Sequence, residues 1–443
     1  MKQYTLCILL LTLVFPHTGC SQPPGLTGKI EQYVRPFVET NNFSGVILVS
    51  RNNKVLFNKA YGLANREFKV PNHTETVFQL ASVSKPFTAA AILILEQKGL
   101  LTTDDPVSKY VPDYPSGDKI KLHHLLSHTS GIPDINDLEE YDNASRKQQT
   151  PASLVALYKN KPLVFAPGER YQYSNSNYSL LVFIIEKISG ISFSEFLREN
   201  IFGPLGMHKT INHIDMSLII ANMAEGYAPD GNFGLKKARY LDWSSKNGSG
   251  SIASTAGDLH KWSEALFGTA ILSEQSKTKM FTEYKESGYG WYLDEVHGQK
   301  YEFMNGMTSG ICTHMGRYPA EKVSVIVLSN LSVFVSKQIA INLGGMLFDK
   351  AVEMPALNRT LTAEELKAFA GKYQFGKDFY KSNLTMEVTA KDGRLLCTMG
   401  ELFPRNGLDF FERTYWGKVS FKKDGNGEVV QMMFDDHIGE KVN

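Results

Sequence analysis

The chain has 443 residues, enough for one large domain and a smaller one. It is 42% hydrophobic and 21% charged, the balance of a globular and not of a disordered protein. Its 47 Lys and Arg oppose 46 Asp and Glu for a net charge of +1, and no basic stripe is present, so nucleic acid is not expected as a partner.

At the N-terminus Lys2 precedes an apolar run from Leu6 to Phe15 that is too short to anchor stably in a bilayer. A basic start, a short apolar core and then small residues predict a secretory signal peptide over residues 1–20. It ends in His17-Thr18-Gly19-Cys20-Ser21-Gln22, which resembles the cleavage box of bacterial lipoproteins, with His17 where that box usually carries an aliphatic residue. The chain is therefore expected to be exported, to the periplasm, either simply secreted or attached to a membrane through a lipidated Cys20. Of the remaining cysteines, Cys312 and Cys397 are expected as free thiols in separate domains.

An amphipathic pattern (Ile30, Val34, Phe37, Val38) predicts a helix from Leu26 to Glu39. Gly45–Ser50 reads as a buried strand, Asn52-Asn53 as a tight turn, and Val55–Tyr61 as the returning strand. Next comes Leu80-Ala81-Ser82-Val83-Ser84-Lys85, followed by the apolar run Ala89–Leu95 of a buried helix. Residues three apart share a helix face, so Ser82 and Lys85 point into one space among the free N–H groups of a helix start. A serine needs a base to become a nucleophile, and a desolvated lysine can be that base. Ser-x-x-Lys recurs at Ser116–Lys119, Ser276–Lys279 and Ser420–Lys423, but only Ser82 opens a buried helix. The bland reading is a capping serine beside a solvated lysine.

His123, His124 and His128 cluster without the spacing of a helical zinc site, so packed histidines in a short helix and its exit loop are expected, with no metal. Pro167-Gly168 makes a turn, and Leu180–Ile188 makes a helix, which puts Tyr173-Ser174-Asn175 on the loop leading into it. Gly248-Ser249-Gly250-Ser251 reads as a loop capping the next helix, and the absence of a phosphate-binding glycine motif argues against a nucleotide cofactor. Tyr301–Met307, Ile311–Arg317 and Val323–Asn330 read as three consecutive antiparallel strands, the last buried on both faces. A linker, Met354–Arg359, separates the large domain (25–350) from the C-terminal part (360–443). There Thr362-x-x-Glu365 is a capping box, and turns at Asp392-Gly393 and Asp424-Gly425-Asn426-Gly427 join short alternating segments into an all-β, barrel-like domain.

Taken together, these motifs resemble the serine beta-lactamase-related hydrolases, a family that includes class C beta-lactamases, DD-peptidases, D-aminopeptidases and esterases. The likeness runs from about Ile30 to Asn330. It is carried by Leu80–Lys85, Leu125-Leu126-Ser127-His128-Thr129-Ser130-Gly131, Pro167-Gly168-Glu169, Tyr173-Ser174-Asn175 and Gly250–Asp258. It implies an α/β (α+β) fold: an antiparallel sheet flanked by helices, with a helical lobe inserted from about Leu101 to Asp258. It further implies that Ser82 forms an acyl-enzyme, that Lys85 and Tyr173 share general base and acid duty, and that Asn175 binds substrate. The oxyanion hole would be the N–H groups of Ser82 and Met307. The substrate would be a small-molecule or peptide ester or amide, with no cofactor.

One departure stands out. The family's third motif places a Lys or His two residues before a Gly, and here that register reads Met304-Asn305-Gly306. Gly306 still lets substrate approach the strand, but position 304 carries no cation, which predicts a preference for neutral esters or amides over carboxylate-bearing substrates. The rival expectation is that His314 or Arg317 supplies the charge. Two other readings stay open: a penicillin-binding-like recognition protein with little or no turnover, and a ligand carrier confined to the C-terminal barrel.

Overall fold

The computed structural model describes residues 25–230, 234–355 and 360–442. The expected signal peptide, Cys20 and residues 356–359 of the expected linker lie outside the described residues. Among the described residues, the large domain is built on a six-stranded antiparallel sheet. Its order is Tyr292–Val296, Gln299–Thr308, Ile311–Tyr318, Val323–Ser329, Gly45–Arg51 and Lys54–Tyr61. The first strand of the chain therefore pairs with the last strand of the domain, Gly45 opposite Ser329 and Arg51 opposite Val323.

Side chains alternate across the central strands with period two. Val46, Leu48, Ile326 and Leu328 face a helical layer, while Ile47, Val49, Val325 and Val327 face the helices Leu26–Glu39 and Ser336–Leu347. Both faces are covered, which is why Val323–Ser329 is buried at every residue. The helical layer holds the two helices that present the site. Lys85–Gln97 is buried continuously from Lys85 to Leu95, and Asn175–Ser189 packs beside it. Pro86 is tolerated in the first turn, where N–H groups have no intrahelical partner.

Several expectations are refined. Ala81–Ser84 is a short 3₁₀ turn ahead of the helix, so Ser82 precedes the α-helix and Lys85 begins it. The Gly/Ser segment contains a short strand, Ile252–Ser254, before Thr255 caps the helix Ala256–Phe267. The edge strand Tyr292–Val296 and the helix Ser336–Leu347 carried no sequence expectation at all.

The C-terminal part is a closed eight-stranded barrel from Gly371–Phe375 to His437–Val442, filled by Phe369, Tyr373, Leu395, Phe421 and Met432. The capping box at Thr362 starts the helix Ala363–Phe369. Both hairpins lie where the Asp-Gly signals put them. Cys312 and Cys397 are free thiols, one in each part. The barrel docks on the large domain through Trp416, which packs 5.4 Å from the Phe37 ring. Beside it the buried Arg413 donates to Asn42 Oδ1 at 3.1 Å and to the Asn41 carbonyl at 3.2 Å.

Arg413→Ala should destabilise the protein by about 2 kcal/mol, because it removes the buried hydrogen bonds to Asn42 and Asn41 across the junction and leaves Glu401 with Arg394 as its remaining cation. Chemical denaturation followed by tryptophan fluorescence should then show the barrel transition separating from that of the large domain.

Candidate active site

The turn carrying Ser82 is clamped from two sides. Phe78–Gln79 pairs with Ala253–Ser254, the Leu80 N–H donates to the Ile252 carbonyl at 2.8 Å, and Ser84 Oγ accepts from the Ile252 N–H at 3.0 Å. From the sheet, Thr313 Oγ1 donates to the Leu80 carbonyl at 2.6 Å. Held this way, Ala81 adopts a φ of +47°, a left-handed conformation that costs an alanine about 1–2 kcal/mol. Such strain persists only where the surroundings over-determine it.

Lys85 is fully buried. Its Nζ donates to Ser82 Oγ at 3.0 Å, to Asn175 Oδ1 at 2.9 Å and to the Ser249 carbonyl at 2.8 Å. The Ser249 carbonyl reaches it because Gly248, at φ +78°, carries no Cβ; one built there would fall 2.3 Å from Val182 Cγ2. Desolvation holds the Lys85 pKa well below the ordinary lysine value, the Asp134 carboxylate pulls it partly back up, and the Lys246 ammonium pushes it down. A neutral amine has two donors and one lone pair. In that neutral form Asn175 Oδ1 and the Ser249 carbonyl keep the two donors, and the 3.0 Å contact with Ser82 reverses, the hydroxyl donating to the lone pair.

Tyr173 OH lies 2.7 Å from Ser82 Oγ. Burial raises its pKa, with the Ser82 contact opposing, so it stays a neutral phenol. Its ring packs at a tilt, 4.5 Å from that of His128, and His128 Nδ1 accepts from the Ser174 N–H at 3.1 Å. Burial and then the nearby Lys85 charge keep His128 neutral. The Asp134 carboxylate accepts from the Asn175 N–H at 3.1 Å and from its amide at 3.0 Å. Asp134 thereby caps the helix Asn175–Ser189 and turns Asn175 Oδ1 toward Lys85.

A cavity of about 190 Å³ opens beside Ser82, walled by Tyr173, Asn175, Asp134, Asn136, Trp243, Lys246 and Met307. The edge strand pairs with Gln299–Thr308 only as far as Phe303, so the margin carrying Gly306 and Met307 is free toward the cavity. Gly306 belongs there sterically, since a Cβ would sit 2.1 Å from the Leu80 carbonyl and 3.1 Å from the Ser82 nitrogen.

The structure thus brings together Ser82, Lys85, Tyr173, Asn175, Gly306 and Met307. It does not bring Met304 to the cavity: that side chain is 3% exposed within the apolar layer under the helices. Neither rival cation is available. His314 lies between Tyr301 OH and Asn305 Oδ1 on the other face of the sheet, and burial pushes its pKa down to about 3. Arg317 is buried against the Phe267 ring and paired with Glu302 at 2.8 Å. His123 and His124 sit edge-to-face at the short helix Leu122–Leu126, away from the cavity. Sequence reasoning missed Asp134 and Lys246. Their signals were slight, an Asp after Pro133 in a turn and a Lys two residues before Gly248.

The family described as Beta-lactamase matches residues 30–342 of the chain. A penicillin-binding protein of Bacillus subtilis (strain 168) is 28% identical over 433 residues, covering 91% of this chain and 95% of that protein. The putative penicillin-binding protein PbpX of the same organism is 35% identical over 268 residues, 59% of this chain and 63% of that one. Among solved structures, the octameric penicillin-binding protein homologue of Pyrococcus abyssi superposes with a TM-score of 0.68 at 27% identity. It covers 94% of this chain and 99% of its own. The D-amino acid amidase of Ochrobactrum anthropi superposes with a TM-score of 0.61 at 25% identity, over 69% of this chain and 91% of its own.

Activity requiring the neutral Lys85 amine should rise with pH through an ionisation below the usual lysine value of 10.5. Because the Asp134 charge raises that pKa, Asp134→Asn should move the rising limb of the kcat/KM profile to lower pH, as read by a pH series on a chromogenic ester.

Proposed function

The chain belongs to the beta-lactamase family, and from that premise we propose that it is an exported serine hydrolase whose Ser82 forms an acyl-enzyme with an ester or amide substrate. The observation that carries this reading is the placement of Ser82 Oγ within hydrogen-bond reach of both the buried Lys85 amine and the Tyr173 phenol. A binding protein has no use for a desolvated amine aimed at a hydroxyl on a strained turn.

In the proposed mechanism Lys85 takes the Ser82 proton as Oγ bonds to the substrate carbonyl carbon. The oxyanion is held by the N–H groups of Ser82 and Met307, and loss of one such donor typically costs about 3 kcal/mol in the transition state. The neutral Tyr173 phenol suits proton delivery to the leaving group as the scissile bond breaks, and the Lys85 ammonium, 4.8 Å from the centre of the Tyr173 ring, then returns to the phenolate the proton it took from Ser82. This refines an equal sharing of base and acid duty: burial lowers the lysine pKa and raises the tyrosine pKa. Water then attacks the acyl-enzyme with the same groups in reverse. Amide substrates fit the neighbours named for penicillin binding and D-amino acid amidase activity. Export rests on the signal sequence of residues 1–20 alone.

A fluorophosphonate probe should label the wild type and not Ser82→Ala. A folded wild type that takes no label would favour a recognition protein instead. Tyr173→Phe should lower kcat by roughly 10²–10⁴-fold while leaving the melting temperature within a few degrees.

A further inference from the structure

The cavity beside Ser82 runs toward Trp243 and Thr308, and it takes Met307 but not Met304 or Asn305 from the strand margin. The other end of that margin begins where the pairing of Tyr292–Val296 with Gln299–Thr308 stops, with Tyr292 opposite Phe303. The Tyr292 hydroxyl shares a hydrogen bond at 3.1 Å with the hydroxyl of Tyr171. Tyr171 belongs to the loop that carries Tyr173, so the bond bridges from that loop to the sheet. Met304, next along the strand, is buried at this end.

Both rings are held in place. Tyr292 stacks on Phe303 with ring centres 5.4 Å apart, and Tyr171 meets the His128 ring edge-on at 5.9 Å. The chain just before Tyr292 lies against the head of the Lys85 helix. Gly290 there has a φ of +75°, and a Cβ on it would fall 3.0 Å from the Lys85 carbonyl. Ser287 Oγ adds a second tie, donating at 3.2 Å to the Ser127 carbonyl, one residue from His128. The bridge therefore stands on the Tyr173 side of the nucleophile. Burial raises the Tyr173 pKa, the Ser82 contact opposes that, and Tyr292 is near enough to add to the rise.

This placement matters for the part of the substrate that departs. As Ser82 Oγ bonds to the carbonyl carbon, with the oxyanion on the Ser82 and Met307 N–H groups, the two remaining substituents diverge. The acyl portion has the cavity. The leaving oxygen or nitrogen faces Tyr173, takes its proton as the bond to carbon breaks, and points whatever it carries at the two joined rings.

We propose that Tyr171 and Tyr292 are specificity-determining residues that limit the size of the leaving group, so that this enzyme cleaves esters of small alcohols or amides of small amines and rejects bulky ones. This rests on the Ser82 hydrolase reading. Rings packed on both sides and tied to two segments yield little, so a substituent that overlaps them is excluded by strain.

The test uses the full chain and two pairs of esters, followed by proton release. In the first pair one acyl group is joined to methanol or to cyclohexylmethanol, both primary alcohols of similar intrinsic reactivity. In the second pair the alcohol is methanol and the acyl group is acetyl or cyclohexylacetyl. The readout is the ratio of kcat/KM within each pair, for wild type, Tyr171→Ala, Tyr292→Ala and Tyr292→Phe. Ratios are read because an effect passed through Tyr173 alone changes all four esters alike.

The wild type should favour the methyl ester of the first pair. Either alanine variant should cut that preference roughly tenfold and leave the second ratio unmoved. Tyr292→Phe, which keeps the ring and loses only the bond, should retain most of it. A wild type that cleaves both esters of the first pair equally well overturns the assignment, whether or not the variants fold. So does an alanine variant that a fluorophosphonate still labels and whose first ratio equals the wild-type ratio, and so does a change confined to the second pair. In each case Ser82 chemistry stands. Failure of every ester together with absence of labelling of the wild type removes the hydrolase reading and this assignment with it.

Discussion

The Lys85 amine is shut away from water, and the architecture around Ser82 follows from keeping it there. Enclosing such a group costs several kcal/mol unless its hydrogen bonds are met. Three hydrogen-bonding partners meet them, and each comes from a different part of the chain: Ser82, Asn175 and the Ser249 carbonyl. The same enclosure favours the neutral amine, so the feature that is expensive for stability is the one that makes a base. Asp134 sits behind Asn175 and sets the orientation of the amide that the lysine meets.

Much of this could be read in the chain before any coordinates. Ser82 and Lys85 stand out because one turn separates them at the head of a continuous apolar run. Tyr173 and Asn175 stand out because a Pro-Gly turn and a second apolar run bracket them. The barrel was legible from its Asp-Gly hairpins. What could not be read depends on partners distant in sequence. Asp134 means nothing until the helix Asn175–Ser189 ends on it, and Lys246 means nothing until its loop folds over Ala81. Met304 shows the converse: it shares a strand face with Gly306, but it lies further along the strand, where the helical layer covers it with apolar side chains, and it does not line the cavity. The edge strand Tyr292–Val296 escaped notice because it is only five residues long and the exposed Asp294 and Glu295 break its apolar residues into no regular alternation.

The cavity is also electrostatically divided. On one wall sits Tyr173, held neutral by burial, with the neutral His128 packed behind it. On the other stand the charged Asp134 and Lys246, the lysine partly open to solvent and in no ion pair among the described residues. Proton transfer is favoured at the dry wall, where hydrogen bonds are strong. A short loop, Gly248–Gly250, joins the two.

The pairing of Gly45–Arg51 with Val323–Ser329 has a consequence for how the protein comes into being. The central strand of the sheet has its partner at the far end of the domain, so a growing chain cannot complete the sheet until nearly all of that domain has been made. Contacts so distant along the polymer slow folding and leave an unpaired apolar ribbon waiting. The protein is therefore most vulnerable to self-association early in its life, before its two ends meet.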